Sequence, residues 1–363
     1  MKKILLLRGN TREKGYTKYF TDLFVQGVRE TDASLKDVTL PLRDIRACLG
    51  CYACWVSTPG RCVQRDDMDE LLPEFQAADV LVCATPLYFY TMSSDMKRFF
   101  ERTLPVTREG LVATPQGLLR NRIRDPEQWR KKTLITIVVG ALRDLETFRG
   151  VNETFKLLAD GMDMELGGQL TRPESHLISF LYCRPKAIKS VQSAFVTAGR
   201  EAGTRGVLSP ETEKLAALPI APSQEAFRRY SEVFWSRAVE SGPAGQDVQH
   251  VVSKVAADVR ILMPEMARRF DPKVAARAKA AIQFDFPDRG LHYRLAVSGG
   301  RCELAAEESA APDLRVTCPS EAWAGIFTGQ LDVRQALAAK QIVLEGDRSL
   351  FAKLPRWFPT TAE

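Results

Sequence analysis

The feature that most constrains this chain of 363 residues is the regular alternation of short apolar runs with amphipathic segments in its first half. "KKILLL" at residues 2–7 is apolar enough for a buried strand, and "KYFTDLFVQGV" at 18–28 has helical spacing. Strands that alternate with helices of this length pair in parallel, with helices on both faces of the sheet. The sequence therefore predicts an α/β fold with a doubly wound parallel sheet.

The alternation continues along the chain and defines a first domain over residues 1–239. A long stretch at 104–130 shows no clear period, and we expect a lid or a partner-contact excursion there. The remaining elements predicted for this domain are strands at 37–42, 79–86 and 131–140, and helices at 66–78, 93–103, 152–162, 190–206 and 223–239.

A change of composition predicts a second, smaller domain of the α+β class. The segment "ESGPAGQD" at 240–247 is small, polar and rich in helix breakers, so we place a linker at 240–249. The second domain then spans 250–363, and its hairpin turn is expected at Gly299 and Gly300. It begins with a helix at 250–270, followed by alternating strands at 281–286, 291–306 and 313–318.

Charge and hydropathy exclude several classes of protein. The 51 Lys and Arg residues exceed the 45 Asp and Glu residues by only 6, and they are spread along the chain, so we expect no nucleic-acid partner. The first apolar run ends at Arg8, so it is shorter than the apolar core of a signal peptide. No run approaches the roughly 20 apolar residues of a membrane helix. We therefore expect a cytoplasmic protein without an integral membrane segment.

The densest chemical feature is a set of four of the eight cysteines within fifteen positions, at Cys48, Cys51, Cys54 and Cys62. In a reducing compartment, clustered cysteines more often bind metal or act in catalysis than form disulfides. The C-x2-C-x2-C spacing crowds three thiolates on one turn, which favours the several irons of a cubane over one tetrahedral zinc ion. Three alternatives stay open: a [4Fe-4S] cluster completed by Cys62, a zinc site, or uncoordinated thiols.

Other reactive side chains carry no predicted role. We expect the isolated cysteines to be small core residues: Cys83, Cys183, Cys302 and Cys318. The histidines have no partner at ligand spacing: His176, His250 and His292. The "DDM" at 66–68 is expected to begin a helix, with its carboxylates accepting from free N–H groups, and not to form a catalytic dyad.

Two loops that follow predicted strands are candidate ligand sites. The loop at 8–17 opens a helix, whose N-terminus attracts phosphate, although the G-x-G-x-x-G fingerprint is absent. The alternative is an ordinary polar turn capped by Thr17. In "ATPLYFY", Tyr88, Phe89 and Tyr90 cannot all enter one core, so at least one should face a cleft and cover a planar ring. The alternative there is a hydrophobic dimer contact.

These segments together resemble a known family. "RGNTREKGYT", "GCYACW", "TPGRCVQRDDM" and "ATPLYFYTMSSDMKRFFER" are similar to the flavodoxin-like NAD(P)H-dependent FMN reductases, including their iron-sulfur flavoprotein branch, over residues 1 to about 235. The iron-sulfur branch has a compact four-cysteine motif of this kind, whereas other reductases keep similar cysteines beside the flavin alone. The resemblance implies a flavodoxin-like sheet, an FMN cofactor, NAD(P)H as co-substrate and a homodimer with the flavin near its interface.

The resemblance also implies which residues bind FMN. Asn10 stands where the family usually has Ser, and Tyr16 where it has Asn, but both can donate to a phosphate. No side chain is assigned a catalytic role, because the flavin carries the chemistry. The implied phosphate residues are Asn10, Arg12, Gly15, Tyr16 and Thr17. The implied ring contacts are Thr85, Pro86, Leu87, Tyr88, Phe89 and Tyr90, with Gly140 and Ala141 nearby.

The C-terminal segment has its own resemblance. "IFTGQLDVRQALAAKQIVLEGD" and the strands before it are similar to the sterol carrier protein type 2 domain, over about residues 250–360. This implies a five-stranded sheet with helices over an apolar tunnel for a lipid-like ligand, although each lining residue is equally an ordinary core residue. The candidate lining residues are Trp323, Ile326, Phe327, Leu337, Phe351, Leu354, Trp357 and Phe358.

The leading functional hypothesis is an FMN-dependent NAD(P)H oxidoreductase. It would pass electrons from nicotinamide through flavin to a small-molecule or protein acceptor, directly or through the cluster. The alternative is an electron-transfer or redox-sensing flavoprotein whose C-terminal domain binds an apolar lipid-like ligand, without a dedicated substrate. In a third hypothesis, the C-terminal domain has lost its tunnel and serves only in assembly.

Overall fold

The computed structural model describes residues 1–12, 14–114, 117–127, 129, 132–180, 182–240, 251, 255, 257–327 and 329–359. The chain divides into two compact units, one of residues 1–178 with 183–222, the other of 179–182 with 223–363. The helix at 224–240, which the sequence assigns to the first domain, therefore belongs to the second unit. The predicted linker lies outside the described residues from residue 241 onward.

The first unit is built on a parallel sheet. Its strand order is β2-β1-β3-β6-β7, and every neighbouring pair is parallel. With β6 and β7 as the fourth and fifth parallel strands, this is the 2-1-3-4-5 order of flavodoxin-like folds, so the predicted fold class is confirmed for this unit. The strands of this unit are β1 (Lys3–Arg8), β2 (Ser34–Thr39), β3 (Val80–Pro86), β4 (Thr107–Ala113), β5 (Leu119–Ile123), β6 (Thr133–Val139) and β7 (Glu165–Arg172).

Helices cover this sheet and bury its apolar side chains. Two of them approach so closely that a Cβ at Gly27 would overlap the backbone of Val196, and a Cβ at Gly199 would overlap the backbone of Phe24. Glycine at both positions therefore lets these two helices, α1 and α6, pack backbone to backbone. The helices of this unit are α1 (Tyr16–Arg29), α2 (Ala53–Val56), α3 (Met68–Ala77), α4 (Ser94–Glu101), α5 (Arg149–Gly161), α6 (Pro185–Thr204) and α7 (Pro210–Ala216).

Several elements differ from the sequence predictions. The strand expected at 37–42 ends at Thr39, and a 3₁₀ turn follows at Leu40–Leu42, since Pro41 has no N–H for a strand ladder. The aperiodic stretch at 104–130 contains the antiparallel hairpin of β4 and β5. The edge strand β7 was missed, because Gly167 and Gly168 interrupt its alternation. Helix α7 was missed as well.

The second unit has a mixed sheet with five strands among its described residues, in the order β10-β9-β8-β11-β12. The predicted strands at 281–286, 291–306 and 313–318 are confirmed. Gly299 and Gly300 turn between β9 and β10 with φ of 57° and 72°, as a two-residue hairpin turn requires. The strands are β8 (Lys279–Phe286), β9 (Leu291–Ser298), β10 (Arg301–Ala305), β11 (Leu314–Thr317) and β12 (Val343–Gly346).

The helix predicted at 250–270 is confirmed over part of its length. The predicted helix at 250–270 is described as a helix at Val259–Arg268, where Asp258 caps the N-terminus by accepting from the Arg260 N–H. In the described part of the chain, no helix combines the length and hydropathy needed to cross a bilayer. The helices are α8 (Gln224–Glu240), α9 (Val259–Arg268), α10 (Ser320–Phe327), α11 (Val333–Ala338) and α12 (Arg348–Trp357).

Candidate functional site

Three loops meet at the carboxyl edge of the parallel sheet. Arg8 at the end of β1 pairs with Ala84 of β3, and Pro86 at the end of β3 pairs with Val139 of β6, so the loops that follow these strands are neighbours. Strands β1 and β3 flank the point where the strand order reverses, and open α/β sheets bind ligands there. We call this the three-loop edge; it comprises residues 9–12, 15–17, 85–93 and 140–141.

The first loop brings an unpartnered polar atom to this edge. The Gly9 N–H donates to the Ala84 carbonyl oxygen at 2.8 Å, and a Cβ at Gly9 would overlap the Ser93 Oγ. Asn10 is 8% exposed; its Nδ2 donates to the Arg12 carbonyl oxygen at 3.3 Å. The Asn10 Oδ1 is buried without a hydrogen-bond partner in the described structure. A buried acceptor of this kind marks a place for a ligand or water donor.

The N-terminus of α1 is suited to an anion. The helix begins at Tyr16 after Gly15, and within the described residues its first turn has neither a side-chain cap nor an acidic residue. The alternative in which Thr17 caps the helix is wrong, because Thr17 lies buried inside it. The N–H groups of the first turn and the exposed Arg12 together favour a phosphate at this position.

The second loop is anchored by one buried threonine. The Thr85 hydroxyl donates to the Pro86 carbonyl oxygen at 3.0 Å and accepts from the Ser93 N–H at 2.9 Å. Ser93 precedes α4, and its own Oγ is buried with no partner among the residues described. Sequence reasoning missed Ser93, although a serine just before a helical pattern is a signal for the N-cap position.

The tip of the second loop holds three aromatic residues outward. Tyr88 and Thr91 exchange two backbone hydrogen bonds of 3.0 and 2.9 Å. Between them, Phe89 and Tyr90 have φ of 44° and 64°, a left-handed conformation that costs bulky residues roughly 1–2 kcal/mol each. Phe89 is 95% exposed, and Tyr88 and Tyr90 are more than half exposed. A strained turn that presents bare aromatic rings is typical of a binding surface.

The third loop completes the edge. The Leu87 N–H donates to the Val139 carbonyl oxygen at 2.8 Å, which ties the second loop to the end of β6. A Cβ at Gly140 would lie 2.7 Å from Phe148 Cζ and 3.3 Å from Leu87 Cβ, so glycine is required for this close approach. Ala141 follows in an exposed position. The structure thus brings together the three loops that the sequence selected.

The four clustered cysteines lie on a separate segment, the cysteine loop, residues 46–66. Cys54 is buried, Cys48 and Cys62 are half-buried, and Cys51 is exposed. All four line one cavity, and Cys48 also lines an adjacent cavity of about 460 Å³. Burial raises the pKa of Cys54, and the charges of the other three cysteines raise it further. The four thiols are therefore close enough to influence one another.

The number and type of these side chains bear on which metal group they could hold. In the part of the chain that the structure describes, no three His, Cys, Asp or Glu side chains are close enough to hold one metal ion. A single zinc ion needs four converging ligands, whereas the irons of a cubane sit at separate corners. The four thiols that line one cavity match the cubane in the number and type of its ligands.

A buried ion pair closes the base of the cysteine loop. The Arg102 and Asp66 side chains are 1% and 0% exposed, and two hydrogen bonds of 2.6 and 3.1 Å join them. Asp66 also accepts from the Arg46 N–H at 3.0 Å and the Met68 N–H at 3.1 Å, as expected for the start of α3. The Arg102 Nη1 also donates to the Arg46 carbonyl oxygen at 2.8 Å. The pair therefore ties both ends of the loop to the end of α4.

Asp66 and Arg102 each shift the pKa of the other. Burial alone would raise the pKa of Asp66, but hydrogen bonds from Arg102 and from the Arg46 and Met68 amides outweigh it, so the pKa of Asp66 is lowered. Burial would lower the pKa of Arg102, but Asp66 and the Cys62 side chain raise it. Both groups therefore stay charged at neutral pH. Sequence reasoning missed this pair, because its members are 36 residues apart.

The remaining cysteines and histidines lie on other segments of the chain. Cys83, Cys183 and Cys318 are buried, which agrees with a core role, while Cys302 is half-buried. Burial raises the pKa of Cys302 to about 11 and that of Cys318 to about 12. Burial lowers the pKa of His176 to about 4, His292 contacts Asp285 at 2.7 Å, and His250 lies outside the described residues.

The predicted lining residues of the second unit form a mainly buried aromatic group. The Trp323 ring lies 4.8 Å from Phe284 and 6.4 Å from Phe351, and Phe358 lies 5.6 Å from Phe270. Among the described residues, the Trp323 Nε1 is buried without a partner. Trp323, Phe327, Leu354, Trp357 and Phe358 are buried, and Ile326, Leu337 and Phe351 are half-buried. The group is thus an aromatic core with one unused donor.

The two parts of the chain match different family models. Residues 2–168 match the family model described as NADPH-dependent FMN reductase. This match and the relatives below support the FMN reductase and iron-sulfur flavoprotein family for the N-terminal segment. Residues 255–361 match the model described as alkyl sulfatase C-terminal. The second unit is therefore similar to that family, and the resemblance to sterol carrier protein type 2 is not confirmed.

Individual relatives agree with the N-terminal match. An iron-sulfur flavoprotein of Archaeoglobus fulgidus is 32% identical over 105 residues, which is 29% of this chain and 46% of that protein. A Bacillus subtilis protein named provisionally as an NAD(P)H-dependent FMN-containing oxidoreductase is 30% identical over 108 residues, 30% of this chain and 55% of that protein. The chain thus spans about half the length of these relatives.

A solved structure is similar to part of this chain. The FMN-dependent NADH-azoreductase of Bacillus anthracis, in complex with FMN, is 15% identical, with a TM-score of 0.41, over 57% of this chain and 100% of that one. The fold class of the first unit rests on its own strand order, given above.

Proposed function

We propose that the protein is an FMN-dependent NAD(P)H oxidoreductase that binds FMN at the three-loop edge. The observation that carries this proposal is the meeting of three loops at the reversal point of the sheet, with the Asn10 Oδ1 and Ser93 Oγ buried there without partners among the described residues. The match of residues 2–168 to the FMN reductase model supports it. Nothing about the reaction requires a further catalytic side chain.

The first loop and α1 would hold the phosphate. Backbone N–H groups at the start of α1 would donate to its oxygens, and Arg12 would supply positive charge. Thr17 and Tyr16, at the same helix terminus, complete the predicted set of phosphate residues. Burial of Asn10 keeps its side chain fixed in the loop, so little entropy is lost when the ligand binds.

The second and third loops would hold the ring system. Bound there, FMN supplies the chemistry of hydride acceptance from NAD(P)H. Tyr88, Phe89 and Tyr90 would cover a planar ring or the second copy of a homodimer, which accounts for their exposure. Leu87 and Gly140, in contact range of each other, would form a flat floor that admits the ring and excludes water.

Binding of FMN tests this proposal directly. Asn10→Ala and Ser93→Ala should each weaken FMN binding about fivefold to tenfold, since one hydrogen bond contributes roughly 1 kcal/mol. Fluorescence titration of the apoprotein with FMN gives the affinity, and NAD(P)H oxidation at saturating FMN gives the activity. Asn121→Ala, on the β5 strand, is the matched control and should bind FMN as the wild type does. An apoprotein that does not bind FMN would overturn the proposal.

We propose a second function for the cysteine loop: Cys48, Cys51, Cys54 and Cys62 would hold a [4Fe-4S] cluster, which would supply one-electron transfer beside the flavin. The specific observation is that Cys48, Cys51, Cys54 and Cys62 line one cavity and so bring together the four thiols that such a cluster requires. The name of the Archaeoglobus relative supports this choice over zinc or uncoordinated thiols. Protein purified without oxygen should contain about four irons per chain and show broad absorption near roughly 400 nm that bleaches on reduction.

For the second unit, we propose that an apolar ligand binds near the Trp323 side chain. The Trp323 Nε1 is buried without a partner in the described structure, among aromatic side chains, and a ligand with an apolar body and one acceptor would satisfy it. Binding of a fluorescent fatty acid by the full chain, weakened by Trp323→Phe, tests this. Equal binding by both proteins would contradict the role of Trp323.

A further inference from the structure

Arg102 contacts Asp66 and also lines the cavity of the four cysteines. The cavity lined by the four cysteines is also lined by Arg102, together with Glu101 and Leu104 at the end of α4. Two nitrogens of the guanidinium are used, by Asp66 and by the Arg46 carbonyl oxygen. Arg102 therefore lies at the wall of a cavity whose polar lining also includes four thiols and the Glu101 carboxylate.

The third nitrogen of Arg102 is unused. Its Nε is buried and has no hydrogen-bond partner in the described structure, and Arg102 and Cys62 line the same cavity. A buried N–H without an acceptor is costly, by about 1–3 kcal/mol. A buried donor of this kind is usually paired once the missing ligand is bound. The negatively charged sulfur of a metal-bound thiolate can accept such a hydrogen bond.

The position of Arg102 is fixed independently of the cysteines. Asp66 orients the guanidinium in its plane through two hydrogen bonds and neutralises its charge. What remains for the cavity is therefore an N–H group whose direction is set by the two ends of the cysteine loop and not by the cysteines. Hydrogen bonds to cluster sulfurs are one of the determinants of reduction potential.

We propose that Arg102 is a positioning residue of the cysteine loop: its Nε–H donates to sulfur at Cys62, holds that ligand toward the shared cavity, and stabilises a cluster bound there. This inference rests on the proposed cluster. It adds a donor that lies 40 residues beyond the last cysteine of the motif. Because a donated hydrogen bond favours the more negative state of the cluster, Arg102 raises its reduction potential.

Arg102→Lys tests this proposal, because lysine keeps the charge for Asp66 but lacks the planar fork. Outer ligand partners typically change metal affinity about 10- to 100-fold, so the variant should lose iron to a chelator at least about tenfold faster than the wild type. Its cluster should also have a more negative midpoint potential. Arg98→Lys, one turn earlier on α4 and bonded to the Ile45 carbonyl oxygen, is the matched control and should match the wild type. FMN content and far-ultraviolet circular dichroism report the fold of each protein.

A spectroscopic measurement on the wild-type protein needs no variant. With arginine labelled with ¹⁵N at Nε, pulsed electron paramagnetic resonance of the reduced protein should show one arginine nitrogen coupled to the cluster. Iron loss and potential unchanged in Arg102→Lys, or no coupled nitrogen, would overturn the role of Arg102 and leave the cluster proposal standing. A wild type without iron would overturn the cluster and this inference together, and FMN binding would still test the flavin proposal.

Discussion

The three-loop edge and the cysteine loop belong to the same unit but are held in place by different means. The edge is positioned by the sheet, since its loops follow β1, β3 and β6 and are joined by backbone hydrogen bonds such as that from Gly9 to Ala84. The cysteine loop lies outside the sheet, and a buried ion pair holds both of its ends. Damage to one region should therefore leave the other intact.

The largest effect is expected at the base of the cysteine loop. Asp66→Ala leaves Arg102 buried without its counter-charge, so the free energy of unfolding should fall by about 3–5 kcal/mol. Urea unfolding followed by circular dichroism measures it. Asp69→Ala, which removes the exposed ion pair with Arg65, is the control and should change the free energy by about 0.5 kcal/mol or less. Equal losses in the two variants would show that the buried pair does not hold the loop.

A substitution at the three-loop edge should have a smaller effect, and on a different property. Gly9→Ala places a Cβ against the Ser93 Oγ, and overpacking of this kind costs about 1–3 kcal/mol. We expect weaker FMN binding with the iron content unchanged, measured by titration and by iron assay. Gly161→Ala, where a Cβ would meet nothing within 4 Å, is the control. Loss of iron in Gly9→Ala would contradict the separation of the two regions.

The smallest expected effect is the response to acid. The pKa of Asp66 is lowered in the folded protein, so its contribution to stability is present above its unfolded pKa of about 3.9 and is lost as the pH falls through the lower folded value. The urea midpoint of the wild type should therefore fall between pH 5 and pH 3 by more than that of Asp66→Asn. Asp32→Asn, at an exposed position, should keep the wild-type difference. If Asp66→Asn showed the same fall in urea midpoint as the wild type, Asp66 would not be a source of the acid response.

The same contrast explains what the sequence could predict. The alternation of strand and helix predicted the parallel sheet. Loops after buried strands fall at one edge by the geometry of the fold, so local pattern and resemblance placed Asn10, Thr85 and Gly140 at that edge. The strained turn at Phe89 and Tyr90 was not predicted, because aromatic residues rarely adopt a positive φ and no local signal marks them.

The parts that were missed depend on contacts between distant residues. Asp66 was correctly expected to begin a helix, but its pairing with Arg102 joins two helices and has no sequence period. Strand β7 was missed because an edge strand with adjacent glycines lacks a clear alternation. In the second unit, strands were predicted from alternation, while the family match to the alkyl sulfatase C-terminal model was not.

Cys62→Ser tests most directly the central claim that the first unit holds two separate redox sites. The fourth thiol is needed by a cluster and not by the three-loop edge. Protein purified without oxygen should lose its iron and its absorption near roughly 400 nm, bind FMN as tightly as the wild type, and still oxidise NAD(P)H. Cys302→Ser, outside the cysteine loop, should keep both iron and FMN. Joint loss of iron and FMN, or a wild type and variant that are alike in iron content, would contradict the account.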